Sequence, residues 1–223
     1  MLASCSARPE YSSATNAGKQ PDIWPDYKDV TVPVNIAPLN FAIEVEADDY
    51  VTRLKSGSTE VVIGGQSVQI APTDWEALKA ADSKHITVEV FTQKGGKWTR
   101  HNPFLINVVQ DKVDPYITYR LIAPSYVTYE DLTINQRCLE DWDEDVIFRN
   151  LLISTDQNGQ CINCHNYRHY RTSTMQFHAR QHQGGTILVV DGEPRKINLK
   201  TDSTLSAGVY PSFRPTHHYI AYS

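Results

Sequence analysis

Apolar and polar positions alternate along much of this chain, and the period is two rather than 3.6. Phe41, Ile43 and Val45 alternate with Ala42 and Glu44, and Ile86, Val88 and Val90 alternate with Thr87 and Glu89. Each pattern predicts a half-buried strand. Val61-Val62-Ile63 and Val68 to Ile70 flank Gly64-Gly65, a spacing that predicts a hairpin. Gly95-Gly96 predicts another, with the return running through Trp98 to Phe104 and Val108. Ile117, Tyr119 and Leu121 predict a further strand with Thr118 and Arg120 on its outer face, and Leu132 and Ile134 predict one more. Thr73-Asp74-Trp75-Glu76 has the form of a capping box and predicts one short helix, with Trp75 and Leu78 on its buried side. Near the C-terminus, Thr186 to Val190 and Arg195 to Leu199 flank Asp191-Gly192, a turn pair suited to a hairpin tip. Short strands punctuated by turns predict a mainly β fold, with an antiparallel sandwich over residues 24–135.

Composition fits that class. The chain has 223 residues, 40% of them hydrophobic and 21% charged, with a net charge of −5. No basic stripe supports nucleic-acid binding, and no apolar run reaches the roughly 18 residues of a membrane-spanning helix. Residues 140–145 are densely acidic, and Asp141, Asp143 and Asp145 stand at the spacing that opens a calcium loop. Val146 occupies the position that needs glycine and Leu152 the one that needs glutamate, so a solvated acidic turn is expected instead.

The chemistry concentrates at Cys161-Ile162-Asn163-Cys164-His165. Two cysteines separated by two residues and followed by histidine form the attachment signature of a c-type haem. Each thiol adds to one porphyrin vinyl group, and His165 becomes the proximal ligand of the iron. The expected position is a loop, after Leu151 to Ser154 and the turn Asn158-Gly159. Met175 and His178 are the candidates for the distal ligand, with Met175 slightly favoured. If residues 174–180 form a strand, these two face opposite sides and only one can reach the iron. His169 is set aside because, on a helix, it would point the same way as His165.

Zinc competes with haem. Cys161, Cys164, His178 and His182 satisfy a Cys2His2 spacing. A Cys161–Cys164 disulfide is the third reading. Cys138 is expected to be a small buried hydrophobe. No acid–base pair is visible, so an electron carrier or binding protein is expected rather than an enzyme.

Leu2-Ala3-Ser4-Cys5 resembles a lipobox, which makes Cys5 a candidate lipidation site. The polar run that follows predicts a flexible tether over residues 1–23.

Tyr210-Pro211-Ser212-Phe213-Arg214-Pro215, followed by Tyr219-Ile220-Ala221-Tyr222-Ser223, resembles the repeat of TolB-like β-propellers, with Phe213 where tryptophan is usual. With Asn35 to Phe41, Asp114-Pro115-Tyr116 and the stretch from Cys161 onward, the chain is similar to a family of Gram-negative envelope lipoproteins, often labelled cytochrome c-like. These join a β-rich N-terminal region, one Cys-x-x-Cys-His and a TolB-like propeller. The resemblance implies a haem-binding segment over 136–185 and an incomplete propeller over 186–223, so that the chain is either truncated after its first propeller strand or uses those strands to complete another sheet. It further implies a lipid anchor at Cys5, a place on the periplasmic or surface side of the outer membrane, and an unidentified redox partner. The alternative is a non-redox binding or scaffold lipoprotein, with the cysteines in a disulfide or a zinc site.

Overall fold

A computed structural model describes residues 11–81, 84–122, 131–152, 161–181, 183–205, 207–217 and 219–222. The protein is mainly β, built from several sheets whose pairings are mostly antiparallel, with Thr15–Asn16 against Lys97–Arg100 and Thr31–Pro33 against Phe104–Val109 paired in parallel, and one α-helix among the described residues. It forms two compact units. The first runs to Pro115 and takes back Cys138–Trp142; the second holds Tyr116–Arg137 and everything from Asp143.

The first unit contains β1 (Thr15–Asn16), β2 (Ile23–Trp24), β3 (Thr31–Pro33), β4 (Phe41–Ile43), β5 (Asp49–Ser56), β6 (Thr59–Gly64), β7 (Ser67–Val68), α1 (Pro72–Ala80), β8 (His85–Lys94), β9 (Lys97–Arg100) and β10 (Phe104–Val109). Strand β8 is its axis. Ile86, Val88 and Val90 are fully buried on one side of it, as the alternation predicts. One edge of β8 pairs with β5, which pairs with β6; the other edge pairs with β9 and then β10. The return strand slips by one residue between them. Phe91 to Val88 is three steps on β8, and Arg100 to Phe104 is four on the return. Such a bulge kinks a strand without ending its pairing. Pro103, which has no N–H to give the ladder, sits in the slip. The His101 amide keeps the register by donating to the Val90 carbonyl at 3.0 Å.

A second sheet, β2–β4–β7, supplies Ile23, Phe41, Ile43 and Val68 to the same core. Trp75 and Leu78 of α1 complete it, and the Trp75 indole donates to the Ile36 carbonyl at 2.8 Å. The core is therefore sandwich-like, as the sequence predicts. On the opposite face of β8, the buried Glu89 carboxylate is paired with both Arg53 and Arg100.

Several local expectations change. Gly64-Gly65 does not turn a hairpin: β6 pairs with β5 around Gly57, and β7 crosses to β4. The helix begins at Pro72 with Ala71 as its cap and no side-chain cap bond, so Thr73 is inside the first turn instead of capping it. Proline at the start of a helix costs nothing, because that N–H has no partner there in any case. Residues 11–22 are not a free tether. The Tyr11 ring packs against Phe91 and Trp98, β1 pairs in parallel with β9, and the Asn102 amide donates to the Lys19 carbonyl. One aromatic anchor and a few backbone bonds offset the ordering cost that polar composition alone leaves unopposed. The lipobox and Cys5 lie outside the described residues.

The second unit contains β11 (Tyr116–Leu121), β12 (Thr133–Cys138), β13 (Glu144–Arg149), β14 (Cys161–Tyr167), β15 (Thr174–Arg180), β16 (Gly185–Val190), β17 (Glu193–Ile197), β18 (Ser212–Phe213) and β19 (Ile220–Ala221). Strands β11–β12–β13 form one sheet. The Tyr119 hydroxyl, Arg137 and Asn135 converge on Glu144 there, and their hydrogen bonds, that from Tyr119 foremost, pull its pKa down to about 2. Strands β14 to β17 form an antiparallel meander in chain order. At its last turn Asp191 and Gly192 both take positive φ, as the hairpin rule requires. Ile134, Phe148 and Leu132 meet Ile162, Met175, Phe177 and Ala179 in a second core.

Two boundaries move. The one at 135 falls inside β12, and the one at 185 cuts the β14–β17 meander. The faces of β11 are also reversed. Ile117 and Leu121 are exposed, while Thr118 and Arg120 are half-buried against β14. Alternation marks two faces, but the polar partners on β14 select which one turns inward.

Two measurements check this frame. Trp75→Ala empties a fully buried site and is expected to cost about 3–5 kcal/mol, read as a lower urea midpoint at an unchanged slope. His101 is buried and holds Thr92 Oγ1 at 3.1 Å through Nε2. Burial, and then Lys19, hold its pKa below the ordinary 6.5. Its neutral form therefore contributes stability in full above the unfolded value of about 6.5, and this is lost as pH falls toward the folded value. His101→Gln is expected to flatten the loss of stability as pH falls below about 6.5, as followed by chemical denaturation at each pH.

Candidate functional site

The haem-type string lies on β14, the edge strand of the four-stranded meander, and not on the expected loop. Ile162 is the reason. It is fully buried in the second core, and its amide donates to Asn150 Oδ1 at 3.0 Å. With Ile162 inward beside Ala179, the pairing sets its neighbours outward: Cys161 opposite Arg180 and Asn163 opposite His178.

A regular strand sends residues three apart to opposite faces. The pairing is irregular at Cys164, so that rule does not by itself assign its face. Between the paired positions Asn163–His178 and Asn166–Gln176, β14 has two residues, Cys164 and His165, against Phe177 alone. This is a β-bulge, and Cys164 takes φ 57 within it. The Cys164 amide donates to Asn163 Oδ1 at 2.7 Å. The slip breaks the regular alternation of faces within the motif, which spacing alone does not reveal.

His165 is half-buried, and its Nε2 stands 3.4 Å from the Thr118 carbonyl. Burial pushes its pKa down, the Thr118 contact acts the other way, and Arg120 lowers it further. The imidazole is thus neutral at neutral pH, the form that can give a lone pair to a metal. Ligation through Nε2 would exchange the Thr118 contact for the metal. Arg120 donates to Asn163 Oδ1, and Thr118 Oγ1 lies 2.9 Å from the Tyr167 hydroxyl. These bonds from β11 hold the outer edge of β14 on both sides of the bulge.

Cys161 and Cys164 are free thiols, each half-buried; Cys138 is free and buried, as expected for a small hydrophobe. Strand β15 covers Thr174–Arg180, so Met175 and His178 do face opposite sides. Met175 belongs to the core between the sheets, at 8% exposure, which is the packing role. His178 is 4% exposed on the outer face, with Nδ1 3.1 Å from Thr186 Oγ1. Burial, and then Arg180, lower its pKa. Of the two, His178 shares a sheet face with Cys161.

His169 had been set aside on a helical assumption that does not hold, because residues 165–167 are strand. His169 and Tyr170 both take left-handed backbone, φ 53 and 59, in the short turn that follows. They line a cavity of about 400 Å3 with Asn166, Tyr167, Phe213 and Pro215.

For zinc, no three His, Cys, Asp or Glu side chains cluster among the described residues, and His182 lies outside them. The acidic run likewise forms no such cluster. For haem, the donor chemistry fits: two free thiols on either side of a core-anchored strand position, with a neutral imidazole next to the second. No family model, curated protein or solved structure matches this chain. The functional reading therefore rests on the residues themselves.

Under native conditions iodoacetamide is expected to modify Cys161 and Cys164 at least about tenfold faster than Cys138, since access limits a buried thiol. Peptide mass spectrometry at successive times measures this, and equal rates would contradict the assigned burial.

Proposed function

We propose that this chain is a c-type haem protein of the Gram-negative cell envelope, an electron carrier or redox sensor tethered to the membrane by lipid on Cys5. The observation that carries the reading is the constellation on β14: free Cys161 and Cys164 with a neutral, half-buried His165 beside them. Thioether bonds to Cys161 and Cys164 would hold the haem, and His165 would be its proximal ligand. The bound haem supplies a one-electron iron couple. The resemblance to cytochrome c-like envelope lipoproteins supports the same reading.

The surrounding residues have definable work in it. Ile162 anchors the strand in the core, so the attachment points do not move with solvent. Asn150, Asn163 and Arg120 fix the strand edge. In the haem-free chain the Thr118 carbonyl holds the His165 ring through Nε2, a contact that ligation through that nitrogen would replace. Such supporting contacts fix ligand orientation and basicity at metal sites. Met175 is packed in the core and His178 holds Thr186 through Nδ1, which leaves its Nε2 as the ring nitrogen for a metal, and His169 joins them as a distal candidate. No helix among the described residues is long and apolar enough to cross a membrane, so attachment in this reading rests on Cys5.

Coexpression with a haem-ligation system in a bacterial envelope is expected to give a coloured protein. Its haem should survive acid–acetone extraction and add to the intact mass. Cys161→Ala is expected to leave a single thioether and lower the yield of covalent haem, and His165→Ala to alter the reduced absorption band. A colourless protein with unchanged mass would sink the proposal. Zinc analysis and thiol titration on that sample would then decide between the metal and disulfide alternatives.

A further inference from the structure

The outer face of the β14–β17 meander holds a second feature beside the motif. A cavity of about 370 Å3 is lined by His178, Arg180, Gly184, Asn198 and Lys200, among others. Its residues come from β15, the turn after it and the segment after β17. The turn can approach this closely because residue 184 is glycine: a Cβ there would stand 3.2 Å from the carbonyl oxygens of both Ala179 and Gln181. At the cavity wall is His178, only 4% exposed and held by Thr186. Asn198 uses its Oδ1 to accept from the Lys200 amide at 3.0 Å, which leaves its NH2 group as a donor.

The charge balance is one-sided. Arg180 and Lys200 contribute two cations, and no described lining residue is acidic. Neither cation has a carboxylate partner among the described residues. The protein as a whole is acidic, with a net charge of −5, so a cationic concavity is local and not a reflection of composition. A guanidinium and an ammonium around one concave site, with an amide donor between them, suit an oxyanion.

We infer that the cavity formed by Arg180, Asn198 and Lys200 beside His178 binds a carboxylate or phosphate group. Its position says more. Arg180 is the direct cross-strand partner of Cys161, on the same outer face. Resting on the haem reading, the same cavity would then take a carboxylate of the porphyrin attached at Cys161. A free small anion is the other source of the same chemistry.

The test uses the full chain carrying Cys161→Ser and Cys164→Ser, which cannot hold covalent haem. Titration calorimetry at low ionic strength with inorganic phosphate and with succinate is expected to show saturable uptake at one site. Arg180→Gln and Lys200→Gln should each weaken it about tenfold, as loss of one charged hydrogen bond does. Both side chains are exposed, so the melting temperature should stay unchanged. The covalent-haem protein is titrated in parallel. Loss of phosphate uptake there assigns the site to the porphyrin carboxylates, and retained uptake assigns it to a free anion. No saturable uptake by the colourless chain, or uptake indifferent to both substitutions, overturns the inference. A chain that never acquires haem but binds phosphate refutes the proposed function and leaves the anion site standing.

Discussion

Burial of Ile162 fixes the geometry of everything chemical in the second unit. The side chain is fully enclosed beside Ala179, Phe177 and Met175, and the amide is tied to Asn150. Burying such a side chain is worth about 1.5–3 kcal/mol, and a strand cannot rotate one residue inward without turning its neighbours outward. Cys161 and Asn163 therefore face away from the core as a consequence of packing. A cysteine pair on a free loop would have no such constraint. Here free thiols sit on either side of a residue buried in the core.

The bulge at Cys164 and His165 complements that anchor. The bulge interrupts regular alternation within the motif, and bonds from β11 hold the strand edge on both sides of it. The structure combines regular pairing up to Asn163 with a local slip, then resumes pairing at Asn166. Polar bonds from Thr118 and Arg120 brace the irregular part. Three of the nine non-glycine residues with positive φ among the described residues, Cys164, His169 and Tyr170, lie within seven positions of one another. Backbone of this kind costs roughly 1–3 kcal/mol per residue and gathers at functional sites. The first unit has its own slip at His101, but there it serves continuity of a sheet and carries no comparable cluster of reactive groups.

The β class, strand β8, the helix with its buried Trp75 and Leu78, the Asp191-Gly192 turn and the two faces of β15 were all legible from period and turn chemistry. The failures share a cause. The pairing of β6 with β5 instead of β7, the inward face of β11 and the docking of residues 11–22 each depend on a partner distant in sequence. Local pattern identifies which surfaces exist without specifying which surface each one meets. His169 was missed for a related reason: a helical assumption placed it beside His165, whereas a strand and a left-handed turn carry it to the cavity with Phe213.

By itself, the sequence determined the chemical inventory. It supplied two thiols and an imidazole at a reactive spacing, Met175 and His178 on opposite faces of one strand, and an alternation that could only be β. Tertiary structure alone decided how that inventory is presented. It put the motif on an edge strand, slipped the alternation at Cys164, withdrew Met175 into the core and set Arg180 and Lys200 around a cavity beside Cys161. The division follows from range. Side-chain type and period are properties of neighbouring residues. Burial and register come from hydrophobic contacts and ladder bonds between segments that meet only once the chain has folded.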